Sequence, residues 1–261
     1  MIERFFRIEH LGQPRYIVER NGMRRLVDGD IFGNYNIGAP VASDTQRLLA
    51  PVSPSKIVCV GLNYKDHAAE VKKPLPDEPL IFIKPSTSVV GPDEPIVLPE
   101  NVGRVDHEAE LGVVIGRRAS RVRENEAHEY VFGITCVNDV TARDLQIQGA
   151  GYTRAKSFDT FAPVGPCIAR GIDYSGAQGL TVEGLVNGAR RQFSSTRELI
   201  FGIPALIAFI SANMTLLPGD IVSTGTPAGI GPLNAGDRVT IKVEGVGELT
   251  NTVRSTDSID R

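Results

Sequence analysis

Glu108-Ala109-Glu110-Leu111-Gly112-Val113-Val114-Ile115 is a short apolar run with two carboxylates at its front. A run this short and this rich in valine and isoleucine reads as a buried strand. Residues two apart on a strand project to the same side, so Glu108 and Glu110 point together. Like charges that close repel, and one must take up a proton unless a cation lies between them. A second apolar stretch, Gly133-Ile134-Thr135-Cys136-Val137, also reads as a strand and leads to Asp139. Three acidic oxygen ligands without a Cys/His cluster describe a hard divalent cation, Mg²⁺ or Mn²⁺ first and Ca²⁺ second. The competing reading of Glu-x-Glu is the wet face of an edge strand.

Outward from this run, strands outnumber helices. Ile57–Val60, Leu80–Lys84 (closed by Pro85), Asp220–Thr224 and Arg238–Val243 all read as strands. Leu180–Val186 and Arg190–Phe193 flank Asn187-Gly188, a two-residue hairpin signal. Gly245-Val246-Gly247 reads as a turn into a last strand. Asn63 to Val71 suits a turn or two of helix before Pro74 and Pro76, and Thr141 to Gln148 a polar helical piece. No regular strand–helix alternation appears, which predicts an α+β fold with a mainly antiparallel or mixed sheet system. Residues 1–50 read as a small β-rich N-terminal domain with a hairpin at Asn21-Gly22. Pro51-Val52-Ser53-Pro54 reads as the linker to a main domain over 51–261.

A chain of 261 residues buries a real core. Its net charge of −3 gives no basic excess for nucleic acid. Met1 to Arg7 has no apolar core of a secretory signal. Leu199 to Pro218 is uncharged and as long as a membrane span, but Gly202, Pro204, Asn213 and Pro218 interrupt it. A buried helix over Ala205–Asn213, with Pro204 in its first turn, is the expectation. Cys59, Cys136 and Cys167 are far apart in apolar segments and read as buried free thiols, so a cytoplasmic protein is expected.

Six segments together resemble the fumarylacetoacetate hydrolase family. They are Gly61-Leu62-Asn63-Tyr64-Lys65-Asp66-His67-Ala68-Ala69-Glu70, Phe82-Ile83-Lys84-Pro85-Ser86, Asp106-His107-Glu108-Ala109-Glu110-Leu111, Asn138-Asp139-Val140-Thr141-Ala142-Arg143-Asp144, Ala155-Lys156-Ser157-Phe158-Asp159 and Ser223-Thr224-Gly225-Thr226-Pro227-Ala228-Gly229. They occur in the family's order from about Lys56 onward. The resemblance implies a roll of mixed β-sheets with short helices, a homodimer, Mg²⁺ or Mn²⁺, and a 2-oxo acid substrate. The N-terminal unit resembles that of bacterial members described as 2-hydroxyhepta-2,4-diene-1,7-dioate isomerases. Glu108, Glu110 and Asp139 match the metal ligands. His67 and Glu70 match a catalytic pair on a mobile lid, and Lys156 a lysine near the metal. Arg143 and Gln146 match positions that face substrate, with Thr226 and Lys84 as further substrate-binding candidates.

Each role has a plain structural alternative. His67 and Glu70, three apart, are common on any helix surface. Arg143 can pair with Asp144 or Asp139, and Thr226 can sit in a plain tight turn. His107 should point away from Glu108 and be structural, and His128 lies in a charged, solvated stretch. Family members often carry a longer loop between Gln146 and Lys156, where this chain has Gly149 and Gly151. The expected activity is metal-dependent hydrolysis of a carbon–carbon bond in acylpyruvate-type acids. Decarboxylation of an oxaloacetate-like acid, isomerisation of a hydroxydienoate, and a binding module without chemistry stand as alternatives.

Overall fold

The computed structural model describes residues 1–41, 46–147, 151–174 and 178–256. Its largest sheet contains ten principal strands, numbered here in chain order. They are β1 (Glu3–His10), β2 (Gln13–Arg20), β3 (Met23–Gly29), β4 (Tyr35–Pro40), β5 (Lys56–Gly61), β6 (Leu80–Pro85), β7 (Ala109–Ile115), β8 (Val131–Asn138), β9 (Ala162–Arg170) and β10 (Ile221–Ser223). Their order across the sheet is β4-β3-β2-β1-β9-β8-β7-β10-β5-β6. Only β10 and β5 run parallel among these neighbours, so the sheet is mixed and the fold is α+β. The strands of residues 1–50 continue this sheet, because β1 pairs with β9 (Phe5 opposite Ile168).

Both expected Asn-Gly turns form. Asn21 and Gly22 have φ of 50° and 75°, and Asn187 and Gly188 have 52° and 78°. Positive φ at both central residues gives the turn twist that matches the flanking strands.

A second sheet of five strands, ordered Ala189–Ser195, Thr181–Val186, Arg238–Val243, Gly247–Ser255 and Ile96–Leu98, packs on one face of the first. Leu111 and Val113 of β7 meet Val182, Val239 and Ile241 there in one apolar cluster. Strand alternation turns Glu110, Gly112 and Val114 to the other face, where Val114 packs in a second cluster with Ile57, Cys59 and Phe82. Burying both faces of β7 explains its unbroken apolar sequence. It also places Glu110 at the end of a strand that has no wet side.

Among the described residues four α-helices complete the fold: α1 (Lys65–Glu70), α2 (Arg143–Ile147), α3 (Gly151–Lys156) and α4 (Ile203–Asn213). Helix α4 begins at Ile203, earlier than expected, because Pro204 fits the first turn, where its missing N–H is unused. Among the described residues no helix is long and apolar enough to cross a membrane. The helix expected from Thr141 is corrected at its start. Thr141 and Ala142 are extended and pair with the short strand Val105–His107, so α2 begins at Arg143. Gly149 lies outside the described residues. All three cysteines are free and buried.

Candidate active site

Glu108, Glu110 and Asp139 meet where β7 begins and β8 ends. Each offers a carboxylate oxygen, and these lie within 4.8 Å of one another. None is more than 5 % exposed, which rules out the wet-edge reading of Glu-x-Glu. The register explains the meeting: Ala109 lies opposite Asn138, and the Asp139 N–H donates to the Glu108 carbonyl at 2.9 Å. Residues adjacent across an antiparallel pair bring their flanking side chains together.

Three cations surround two of the carboxylates. Lys156 Nζ donates to Glu108 Oε2 at 2.8 Å, to Asp139 Oδ2 at 2.5 Å and to Thr141 Oγ1 at 2.8 Å. Lys84 Nζ donates to Asp139 Oδ1 at 2.5 Å and to the Val140 carbonyl at 3.0 Å. Arg143 donates to Glu108, to Asp106 Oδ2 at 2.9 Å and to Gln146 Oε1 at 2.5 Å. Burial alone would raise the Glu108 carboxyl, but Lys156 and Arg143 hold it well below the usual carboxylate range. Burial likewise opposes the charge on Lys156, and Asp139 and Glu108 outweigh it, so this lysine stays an ammonium.

Among the described residues Glu110 has no ion-pair partner of this kind. Ser223 Oγ donates to its Oε2 at 2.5 Å and the Gly225 N–H at 3.0 Å. Burial, then the charges of Asp139 and Glu108, push its carboxyl up to about 8. Two glutamates two residues apart thus titrate in opposite directions.

The carboxylates open into a cavity of about 440 Å³ that His67, Arg143, Gln146, Tyr152 and Lys156 also line. His67 Nδ1 lies 2.8 Å from Glu70 Oε2. A carboxylate accepts only, so Nδ1 carries the hydrogen, and in the neutral ring the lone pair is then on Nε2. Helix α1 is anchored at three points. Asn63 Nδ2 donates to the Thr224 carbonyl at 2.8 Å, Ser194 Oγ to Asp66 Oδ2 at 2.6 Å, and the Gly229 N–H to Glu70 Oε1 at 2.9 Å. A larger cavity of about 610 Å³ lies by Phe32, Phe132 and Arg170. It contains none of these carboxylates, and the chemistry points to the smaller one.

His67, Glu108, Glu110, Asp139, Arg143, Gln146 and Lys156 therefore line one cavity, and Glu70 stands outside that lining, bonded to His67. One substrate-binding candidate lies off the cavity lining. Lys84 is fully buried behind Asp139 and does not line the cavity; its ammonium bonds that carboxylate. Thr226 lines the cavity, and its hydroxyl donates to the Ala109 carbonyl at 3.0 Å and accepts from Gln192 at 2.7 Å, which leaves the expected role of the turn's backbone N–H groups untouched. Arg143 pairs with Asp106 and Glu108, not with Asp144 or Asp139. His107 is buried and bonds Gln192 at 3.0 Å; burial lowers its imidazole below the usual range. His128 is exposed.

Sequence reading passed over Tyr152, Asp106 and Gln192. Tyr152 stacks on Phe82 at 4.8 Å between ring centroids and sits four residues before Lys156 on α3, a spacing that puts both on one helix face. Asp106 is fully buried between Arg104 and Arg143, and its place in the Asp106–Leu111 segment was the available signal. Gln192 follows two arginines in an exposed hairpin arm, and nothing in that pattern marks it.

The sequence matches the family described as fumarylacetoacetate (FAA) hydrolase C-terminal over residues 56–254. The oxaloacetate tautomerase YisK of Bacillus subtilis is 40% identical over 219 residues, 79% of this chain and 73% of that protein. Among solved structures, 2-hydroxyhepta-2,4-diene-1,7-dioate isomerase from Mycobacterium marinum is 41% identical with a TM-score of 0.89, covering 97% of this chain and 98% of that one. Maleylpyruvate hydrolase from Sphingobium sp. SYK-6, solved with manganese(II) and pyruvate, is 31% identical with a TM-score of 0.80, covering 97% and 99%.

Proposed function

The chain belongs to the fumarylacetoacetate hydrolase family, and from that premise we propose that it moves a proton at the carbon next to the keto group of a short 2-oxo acid. An oxaloacetate-type keto–enol conversion is the lead reading. The observation that carries it is that His67, bonded to Glu70, lines the same cavity as three convergent buried carboxylates.

The residues suit a divalent cation. The donor set is all carboxylate oxygen, as Mg²⁺ and Mn²⁺ prefer. Burial, then the charges of Asp139 and Glu108, lifts Glu110 to about 8, and a cation would offset both. Glu108, Glu110 and Asp139 would hold it, and when bound it supplies Lewis-acid polarisation of the 2-oxo oxygen.

The chain's own groups supply the rest. His67 Nε2 takes the proton from the substrate's C3. The C–H electron pair becomes the C2–C3 double bond, and negative charge moves to the 2-oxo oxygen. Glu70 steadies the imidazolium, which then returns its proton to that oxygen; the reverse sequence makes the ketone. Lys156, held as an ammonium, offsets the developing charge. Gln146 keeps its Nε2 donor for the substrate carboxylate, with the Arg143 guanidinium behind it.

A second reading is hydrolysis of an acylpyruvate, as first expected from the sequence. The same His67–Glu70 pair can draw a proton from water, and a similar solved protein is named as a hydrolase. One experiment separates them. The protein with Mg²⁺ is mixed with the enol form of oxaloacetate and, separately, with a panel of acylpyruvates. Faster loss of enol absorbance without pyruvate release supports the lead reading. Pyruvate and a carboxylic acid from the panel support the second, and no acceleration in either arm sinks both.

A further inference from the structure

The backbone between the two glutamates lacks a strand on one side. In β7 the Leu111 carbonyl faces β10 and accepts from the Thr224 N–H at 3.0 Å. Ala109 has the same parity, so its N–H and C=O face that side too. Pairing with β10 begins only at Gly112, opposite Ser223, and the chain after β10 turns away through Gly225. Two backbone groups at the heart of a buried acidic cluster would be orphaned, and each orphan is costly.

Side chains fill the gap. Ala109 N–H donates to Gln192 Oε1 at 2.9 Å, and Thr226 Oγ1 donates to the Ala109 carbonyl at 3.0 Å. Gln192 Nε2 donates to Thr226 Oγ1 at 2.7 Å and to the Pro227 carbonyl at 2.8 Å. The directions are forced. Ala109 N–H can only donate, which sets Oε1 towards it; the Pro227 carbonyl can only accept, which sets Nε2 towards it. Oε1 then also accepts from His107 Nδ1–H at 3.0 Å. Every polar site of a fully buried amide is used. Room for it comes from Gly184, the residue opposite Gln192 in the second sheet, where an added Cβ would lie 2.9 Å from Oε1.

We infer that Gln192, with Thr226, is a positioning residue that stands in for the missing strand at Ala109 and sets the angle at which Glu108 and Glu110 leave the backbone. It touches neither carboxylate. The inference rests on the reading of Glu108, Glu110 and Asp139 as a cation site, and deepens it. Groups one step behind metal ligands typically alter affinity by about 10- to 100-fold.

The test compares the full-length wild type with Gln192→Met, which keeps length and removes all four bonds. Crystal structures without added metal should show the Glu108 and Glu110 carboxylates spread apart in the variant on an otherwise superimposable sheet. Unmoved carboxylates overturn the inference, whether or not the protein takes up metal. Mn²⁺ affinity, read by electron paramagnetic resonance, should fall by about tenfold or more. Should Gln192→Met fail to fold, Thr226→Val removes the Ala109 carbonyl clamp and one acceptor for the Gln192 amide, and should weaken Mn²⁺ binding. Thr226→Ser, which keeps the hydroxyl, should restore it; equal affinity in Val and Ser variants overturns the inference. A wild type that binds no Mn²⁺ sinks the proposed function instead, and the clamp is then judged on carboxylate positions.

Discussion

The floor of the cavity and its wall are built by opposite means. The floor is Glu108, Glu110 and Asp139 at strand ends inside a sheet buried on both faces, with Lys84, Lys156 and Arg143 bonded in place. The wall is α1, six residues long, too short to be stable alone and tied down by Asn63, Asp66 and Glu70. The difference teaches a division of labour. Gathering charge demands rigid preorganisation, because unpaired buried charges are costly. In the proposed reaction the base, His67, stands on that wall, and a segment held by a few hydrogen bonds opens at low cost.

That contrast makes predictions of decreasing size. Asp139→Asn should abolish Mn²⁺ binding and lower turnover of the active substrate by about a thousandfold or more, since the Lewis-acid contribution is several kcal/mol. Retained binding by calorimetry would show that the floor is not the cation site. His67→Ala should lower turnover by about 10²- to 10⁴-fold while leaving Mn²⁺ affinity as it was. A matching loss of affinity would erase the distinction between floor and wall.

A third prediction concerns protons. Glu110, lifted to about 8, is protonated at pH 7 without metal and must ionise to become a ligand. Cation uptake should therefore expel close to one proton at pH 7 and none well above pH 8, and affinity should climb as pH rises toward 8. Calorimetry in buffers of different ionisation enthalpy reads this directly, and uptake without proton release at pH 7 would contradict it. The smallest effect is expected from Ser194→Ala, which removes the donor to Asp66. Amide exchange over Ala68–Val71 should quicken by about tenfold, with β7 protection unchanged. Equal quickening in both would mean that wall and floor open as one unit.

Much of this was legible in the chain because the signals are local. Leu111–Ile115 is apolar at every position, and only a strand covered on both sides tolerates that. Asn21-Gly22 and Asn187-Gly188 carry the backbone conformations of their turns within themselves. His67 and Glu70 need only one helical turn to meet. What escaped is long-range. Lys84 sits 55 residues from Asp139, and its capture by that carboxylate depends on how β6 and β8 are carried within the curled sheet. Gln192 reaches across 83 residues to Ala109, and its arm otherwise looks solvated: Ala189, Arg190 and Arg191 are all exposed. The start of α2 was misjudged because pairing with Val105–His107 overrides the helical tendency of Thr141 and Ala142.

The seam between β1 and β9 carries a practical consequence. A shortened protein cut to residues 56–254 would strip the partner from Ile168, Ala169 and Arg170, leaving a raw margin of unpaired amides and carbonyls beside apolar side chains. Such a fragment would recruit strands from other molecules, and light scattering during refolding would report clumping that the intact chain avoids.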